Sequence, residues 1–125
     1  MLRILLVEDE AIIAMGLQLK LSSRGYQVLP VARSADDAVK LNRELHPDII
    51  LMDILLSGEQ TGIDAARRIL AEKQVPIIYI TGNEHLLKDM RHVNNHPLEI
   101  INKPPSDRQL FSTLEKYHNG NNQLS

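Results

Sequence analysis

Apolar residues fall into five short runs along the chain, each followed by a longer stretch in which they recur every three or four positions. The runs Arg3 to Val7, Gln27 to Val31, Ile49 to Met52, Ile77 to Ile80 and Glu99 to Ile101 have the length and content of strands. Ile13, Leu17 and Leu21 mark a first helix that Gly25 stops. Ala38, Leu41 and Leu45 mark a second, opened by a Ser34 and Asp37 capping pair and ended by Pro47. A loop from Ser57 to Gly62 precedes the third, carried by Ile63, Ala66, Ile69 and Leu70. The pattern predicts a fourth helix over Glu84 to Asn95 and a fifth with Leu110, Phe111, Leu114 and Tyr117, capped by Ser106 with Gln109. From His118 the chain turns polar, which gives one domain over 1–118 and a polar C-terminal tail or start of a linker over 119–125.

Strand alternating with helix five times is the signature of an α/β fold, a three-layer doubly wound (βα)5 sandwich. The run Ile49 to Met52 is apolar throughout, as a central parallel strand covered on both faces must be. Pro30 cannot donate to a ladder, so the second strand belongs at an edge. Both constraints suit a five-stranded parallel sheet of order 2-1-3-4-5, flavodoxin-like, with a ligand crevice outside the carboxyl ends of the first and third strands. Glu8, Asp9, Asp53, Thr81 and Lys103 each stand where an apolar run stops, and so converge on that edge.

With 125 residues, 43% of them apolar, the chain can bury one real core. The absence of cysteine excludes disulfides, zinc-thiolate sites and thiol nucleophiles, and a cytoplasmic setting is expected. A net charge of -2 with both signs interspersed offers no basic stripe for nucleic acid, and strand-sized apolar runs predict no membrane segment.

Each candidate residue has an ordinary explanation when taken alone. Acidic residues are favoured at a helix start, Thr at a strand end, and Lys on any wet surface. Three carboxylates gathered at one edge, however, repel and need a cation, which Lys103 and a hard divalent ion, Mg²⁺ or Mn²⁺, would supply. These are the parts of a metal-assisted phosphoryl-transfer site with Asp53 as acceptor. His46, His85, His92, His96 and His118 receive no role, because they alternate with charges on solvated faces.

The segments LLVEDE, DIILMDILLSG with a further glycine at Gly62, PIIYITG and IINKP resemble, in order, the response-regulator receiver domain of two-component signalling, a CheY-like family. The resemblance implies that Asp53 accepts a phosphoryl group from a sensor histidine kinase or phosphotransfer protein. It makes Glu8 and Asp9 the acidic metal pair, Glu8 in part through water, and the Leu55 backbone carbonyl a further ligand. It makes Thr81 the switch hydroxyl and Lys103 the invariant lysine before a cis proline bond. The implied protein is no turnover enzyme but catalyses its own phosphorylation and dephosphorylation. Phosphorylation would shift the face of helix four, strand five and helix five toward a downstream effector or fused output domain, and a homodimer is compatible with this.

Three departures accompany the resemblance. Ile100 replaces the family's common aromatic, so the familiar rotamer switch has no ring to turn, and coupling falls to Thr81, Tyr79 or motion of helix four. Gly82 opens space beside the phosphate. Leu55 is apolar where attacking water must pass, which predicts slow self-dephosphorylation. Two other readings remain: a phosphorylation-independent receiver-like interaction module, and a haloacid-dehalogenase-type phosphatase, whose second acid would have to stand where Leu55 does.

Overall fold

The computed structural model describes residues 2–82, 87, 92–94 and 96–124, with 96, 97 and 118–124 described by backbone alone. Five strands, β1 (Arg3–Val7), β2 (Gln27–Val28), β3 (Ile49–Asp53), β4 (Ile77–Thr81) and β7 (Glu99–Asn102), form one parallel sheet of order β2-β1-β3-β4-β7. This is the expected order, with β7 as the fifth strand. Every residue of β3 and β4 is buried, which explains why both are uninterrupted apolar runs up to their last residue.

Helices α2 (Ala35–Leu45) and α3 (Gly62–Glu72) cover one face. Their apolar stripes pack on Leu5, Val7, Ile50, Met52, Ile77 and Tyr79. Helices α1 (Ala11–Ser23) and α4 (Asp107–Leu124) cover the other, packing on Ile4, Leu6, Leu51, Ile78 and Ile80. Alternate residues of each strand therefore feed two separate cores, as a period of two requires. Ser34 and Ser106 accept the amides of Asp37 and Gln109, as the sequence predicts. Thr61 and Asp64 form a reciprocal capping box at the start of α3.

The second strand is shorter than expected, because Pro30 ends the regular ladder. The amides of Gln27 and Leu29 bond to Leu2 and Ile4, but the next donor to β1 is Ala32, on Leu6. One extra residue is thus accommodated after the proline. Pairing resumes as a single parallel bridge between Val7 and Ala32, whose carbonyl accepts the amide of Glu8.

The expected fourth helix needs correction. Residues 84–86, 88–91 and 95 of that stretch lie outside the described residues, but its end is not helical. His92–Val93 (β5) pairs antiparallel with His96–Pro97 (β6) around Asn94, whose φ of 48° is one that Asn tolerates. Asn94 donates its side-chain amide to the Arg67 carbonyl of α3, and Val93 is buried in the α2–α3 core. The backbone of α4 stays helical to Leu124.

Gly62 sets how closely α3 approaches the sheet. Its amide donates to the Ile54 carbonyl at 2.7 Å, and a Cβ there would lie 2.1 Å from the Asp53 carbonyl oxygen. That contact is with backbone and cannot be relieved by a rotamer. Gly62→Ala is therefore expected to lower stability by about 1–3 kcal/mol, as overpacking does. Gly16, within α1 and with open space around its Cβ position, is the contrast: Gly16→Ala should raise stability by about 0.5–1 kcal/mol. Equal melting temperatures for Gly62→Ala and wild type would show that α3 can retreat without cost.

Candidate functional site

The carboxyl ends of β1, β3, β4 and β7 meet at one edge, and each delivers a polar residue there. Asp53 is the last residue of β3 and Thr81 the last of β4, both buried. Glu8 follows β1, held by its amide on Ala32, and is also buried. Lys103 follows β7, and its amide donates to the Thr81 carbonyl at 2.9 Å, which continues the β4–β7 ladder past its last pair. Lys103–Pro104 is a cis peptide bond, as the resemblance implies.

The Lys103 ammonium donates to Glu8 Oε1 at 2.8 Å and to Asp53 Oδ2 at 3.0 Å. Glu8 Oε2 accepts the Glu10 amide, and Asp53 Oδ1 accepts the Leu55 amide at 3.3 Å. Asp9 Oδ2 accepts the Ser57 hydroxyl at 2.6 Å. One carboxylate oxygen from each of Glu8, Asp9 and Asp53 lies within 4.8 Å of the others. Three hard oxygen donors so placed, two of them buried, fit a divalent cation such as Mg²⁺ or Mn²⁺.

The electrostatics follow from this packing. Burial pushes the Glu8 carboxyl up to about 7, with Lys103 working against the rise and Asp53 adding to it. The Ser57 hydroxyl holds Asp9 below the usual carboxylate range. Burial disfavours the charged form of Lys103, but its bonds to Glu8 and Asp53 outweigh that and raise its pKa.

A cavity of about 210 Å³ opens beside these groups, lined by Glu10, Asp53, Leu55, Thr81, Gly82 and Lys103. A larger one of about 290 Å³ is lined by uncharged residues, among them Leu70, Val75, Ile77 and Tyr117, and touches none of the polar residues at the strand ends. Leu55 is 47% exposed at the rim of the smaller cavity. A Cβ on Gly82 would meet only ordinary contacts with Lys103, so the space beside it is real. Ile100 stands opposite Tyr79 across the β4–β7 ladder.

The structure therefore brings together all five residues predicted from strand ends. Sequence reasoning missed Ser57, which appeared only as part of a loop. Its bond to Asp9 joins residues 48 positions apart, and no local pattern announces such a contact.

Comparisons with known proteins agree with this geometry. The chain matches the family model of the response regulator receiver domain over residues 4–115. It is 42% identical over 80 residues to the phyllosphere-induced regulator PhyR of Methylorubrum extorquens, covering 63% of this chain and 30% of that protein. It is 34% identical to the transcriptional regulatory protein AfsQ1 of Streptomyces coelicolor, covering 89% of this chain and 48% of that one. The chain thus spans half or less of the length of these relatives. Among solved structures, the receiver domain of a modulated diguanylate cyclase from Desulfovibrio desulfuricans, described as an example of alternate folding, superposes with a TM-score of 0.84 at 31% identity, covering 100% of this chain and 99% of that chain. The anti-anti-sigma factor PhyR of Bartonella quintana gives 0.83 at 30% identity, covering 98% of this chain and 49% of that one. With nearly the whole chain matched, it belongs to the family of response regulator receiver domains.

Proposed function

We propose that this domain is a phosphorylation-dependent signalling receiver in which Asp53 accepts a phosphoryl group from a phosphohistidine of a sensor kinase or phosphotransfer protein. The observation that carries the reading is the Lys103 ammonium bound to Asp53 and Glu8 at the mouth of an open cavity. A carboxylate oxygen of Asp53 attacks phosphorus, forming an O–P bond as the donor's N–P bond breaks. The bonding pair leaves on the imidazole nitrogen, which takes up a proton. Lys103 is already in place to meet charge on the phosphoryl oxygens, so positioning and electrostatics carry the step. A divalent cation held by Glu8, Asp9, Asp53 and the Leu55 carbonyl would neutralise further charge on the transferring group.

The added group brings about -1.5 to -2 charges. Thr81, beside Asp53 at the end of the neighbouring strand, supplies the hydroxyl that answers it, and Gly82 leaves room for the loop to move. The shift would then pass to β7 and α4, toward a downstream effector protein or fused output domain. Leu55 at the cavity rim keeps apolar surface in the path of attacking water, in support of a long-lived phosphoryl group. The same residue counts against a phosphatase, which needs an acid there. Among the described residues no helix is long and apolar enough to cross a membrane.

A protein donor is favoured by the surface beside the site. Helix α1 begins just after Glu8 and Asp9, and Ile12, Met15 and Leu19 on one stripe of it are 85%, 60% and 71% exposed. Such a stripe so near the mouth suits a helical partner presenting its phosphohistidine.

Incubation with Mg²⁺ and acetyl phosphate should add one phosphoryl group to wild type, read by intact mass, and Asp53→Asn should show none. Phosphorylation at another residue, or unchanged in Asp53→Asn, would refute the reading. Ile12→Asp should slow transfer from a phosphohistidine protein at least tenfold, a loss of ~1.4 kcal/mol, while leaving acetyl phosphate transfer intact. Equal losses with both donors would remove the docking role.

The Glu8 carboxyl supplies a pH test. Its pKa rises from 4.5 to about 7 on folding of the metal-free protein. The native state then binds the proton more tightly than the unfolded chain, so this contribution is complete below pH 4.5 and fades as pH rises through about 7. Melting temperatures without metal should fall across that window, and Glu8→Gln should flatten the trend. A rise over the same window in wild type, absent in Glu8→Gln, would contradict the assignment.

A further inference from the structure

We infer that Ser57 is a positioning residue for the cation site, its hydroxyl holding the Asp9 carboxylate so that a divalent ion binds more tightly. The inference rests on the reading of Glu8, Asp9 and Asp53 as that site. Each of the three carboxylates has an oxygen held by a hydrogen bond. Lys103, after β7, holds Glu8, and the Leu55 amide together with Lys103 holds Asp53. Ser57, in the loop between β3 and α3, holds Asp9.

The Ser57 bond joins the β3–α3 loop to the β1–α1 connection. Asp9 sits in the short connection from β1 to α1, is less buried than Glu8 and Asp53, and precedes a helix whose N-cap residue, Glu10, makes no side-chain cap bond. The terminal torsion of an aspartate is broad, so an untethered Asp9 would sample orientations that turn its oxygens away from Glu8 and Asp53. At 2.6 Å to Oδ2, the Ser57 hydroxyl restrains that torsion. Ser57 itself is exposed and belongs to neither core, so its side chain has no packing duty that would explain the contact.

Outer hydrogen bonds to metal-binding groups typically alter affinity by about 10–100-fold, and an exposed one belongs at the lower end. Titration of the isotope-labelled domain with Mg²⁺ alone, followed through amide shifts around Asp9 and Asp53, should give about tenfold weaker binding for Ser57→Ala. Ser57→Thr, which keeps the hydroxyl, should restore it. The metal-free melting temperature should be nearly unchanged, and the acetyl phosphate reaction should regain the wild-type rate at saturating Mg²⁺. Equal Mg²⁺ affinity in Ser57→Ala and wild type, or a Thr variant as weak as Ala, overturns the inference while leaving the cation site standing. A wild-type protein that shows no Mg²⁺-dependent shifts overturns the cation site itself, and the inference with it.

Discussion

The ion pair network of Lys103 with Glu8 and Asp53 is the constraint on which the rest of the structure turns. Two unit charges about 4 Å apart interact by about 4 kcal/mol at an effective dielectric near 20, so three carboxylates in one small space would oppose folding if left alone. Lys103 reaches two of them at 2.8 and 3.0 Å. A buried charge lacking its partner is far more costly than either group in water, which makes the arrangement all or nothing. Burial pushes the Glu8 carboxyl up to about 7 even with the lysine beside it.

That network dictates what the sheet must do. Lys103 arrives 50 residues after Asp53 and 95 after Glu8, and the route is the pairing of β4 with β7, extended by the Lys103 amide on the Thr81 carbonyl. At the other side, the offset after Pro30 brings the Ala32 carbonyl to the Glu8 amide. Beneath, Gly62 allows α3 to start against the Asp53 backbone itself. Each outer element thus fixes one of the inner charges, and no single strand could assemble the group.

Legibility in the sequence followed the range of the forces involved. Strand positions and order were readable because burial on both faces leaves a continuous apolar run, as in β3, and because proline has no amide N–H to donate, as at Pro30 just after β2. The five polar residues at strand ends were readable for the same reason: each is where such a run stops. The stretch after β4 misled because Leu86, Leu87, Met90 and Val93 have helical spacing, while Val93 is instead buried in an extended turn and Asn94 is anchored to α3. Ser57 and Asp9 were unreadable as a pair, since a hydrogen bond between two loops leaves no periodicity behind.

Under the proposed function, Ile100 bears on how a signal would leave the site. Ile100 is only partly buried and stands opposite Tyr79, which is buried in the α2–α3 core. The ring is therefore on β4, two residues before Thr81 and on the same side of the strand. Tyr79 is 2% exposed and also lines the cavity bounded by Leu70, Val75 and Tyr117. At the strand end, beside Gly82, the Lys103 amide is bonded to the Thr81 carbonyl. Motion of Thr81 toward Asp53 would pull directly on the residue that follows β7, coupling the two strands through backbone rather than through a side-chain lever. Under the proposed function, that backbone link is one mechanical path from Asp53 to the far edge of the sheet, and it needs no aromatic at Ile100.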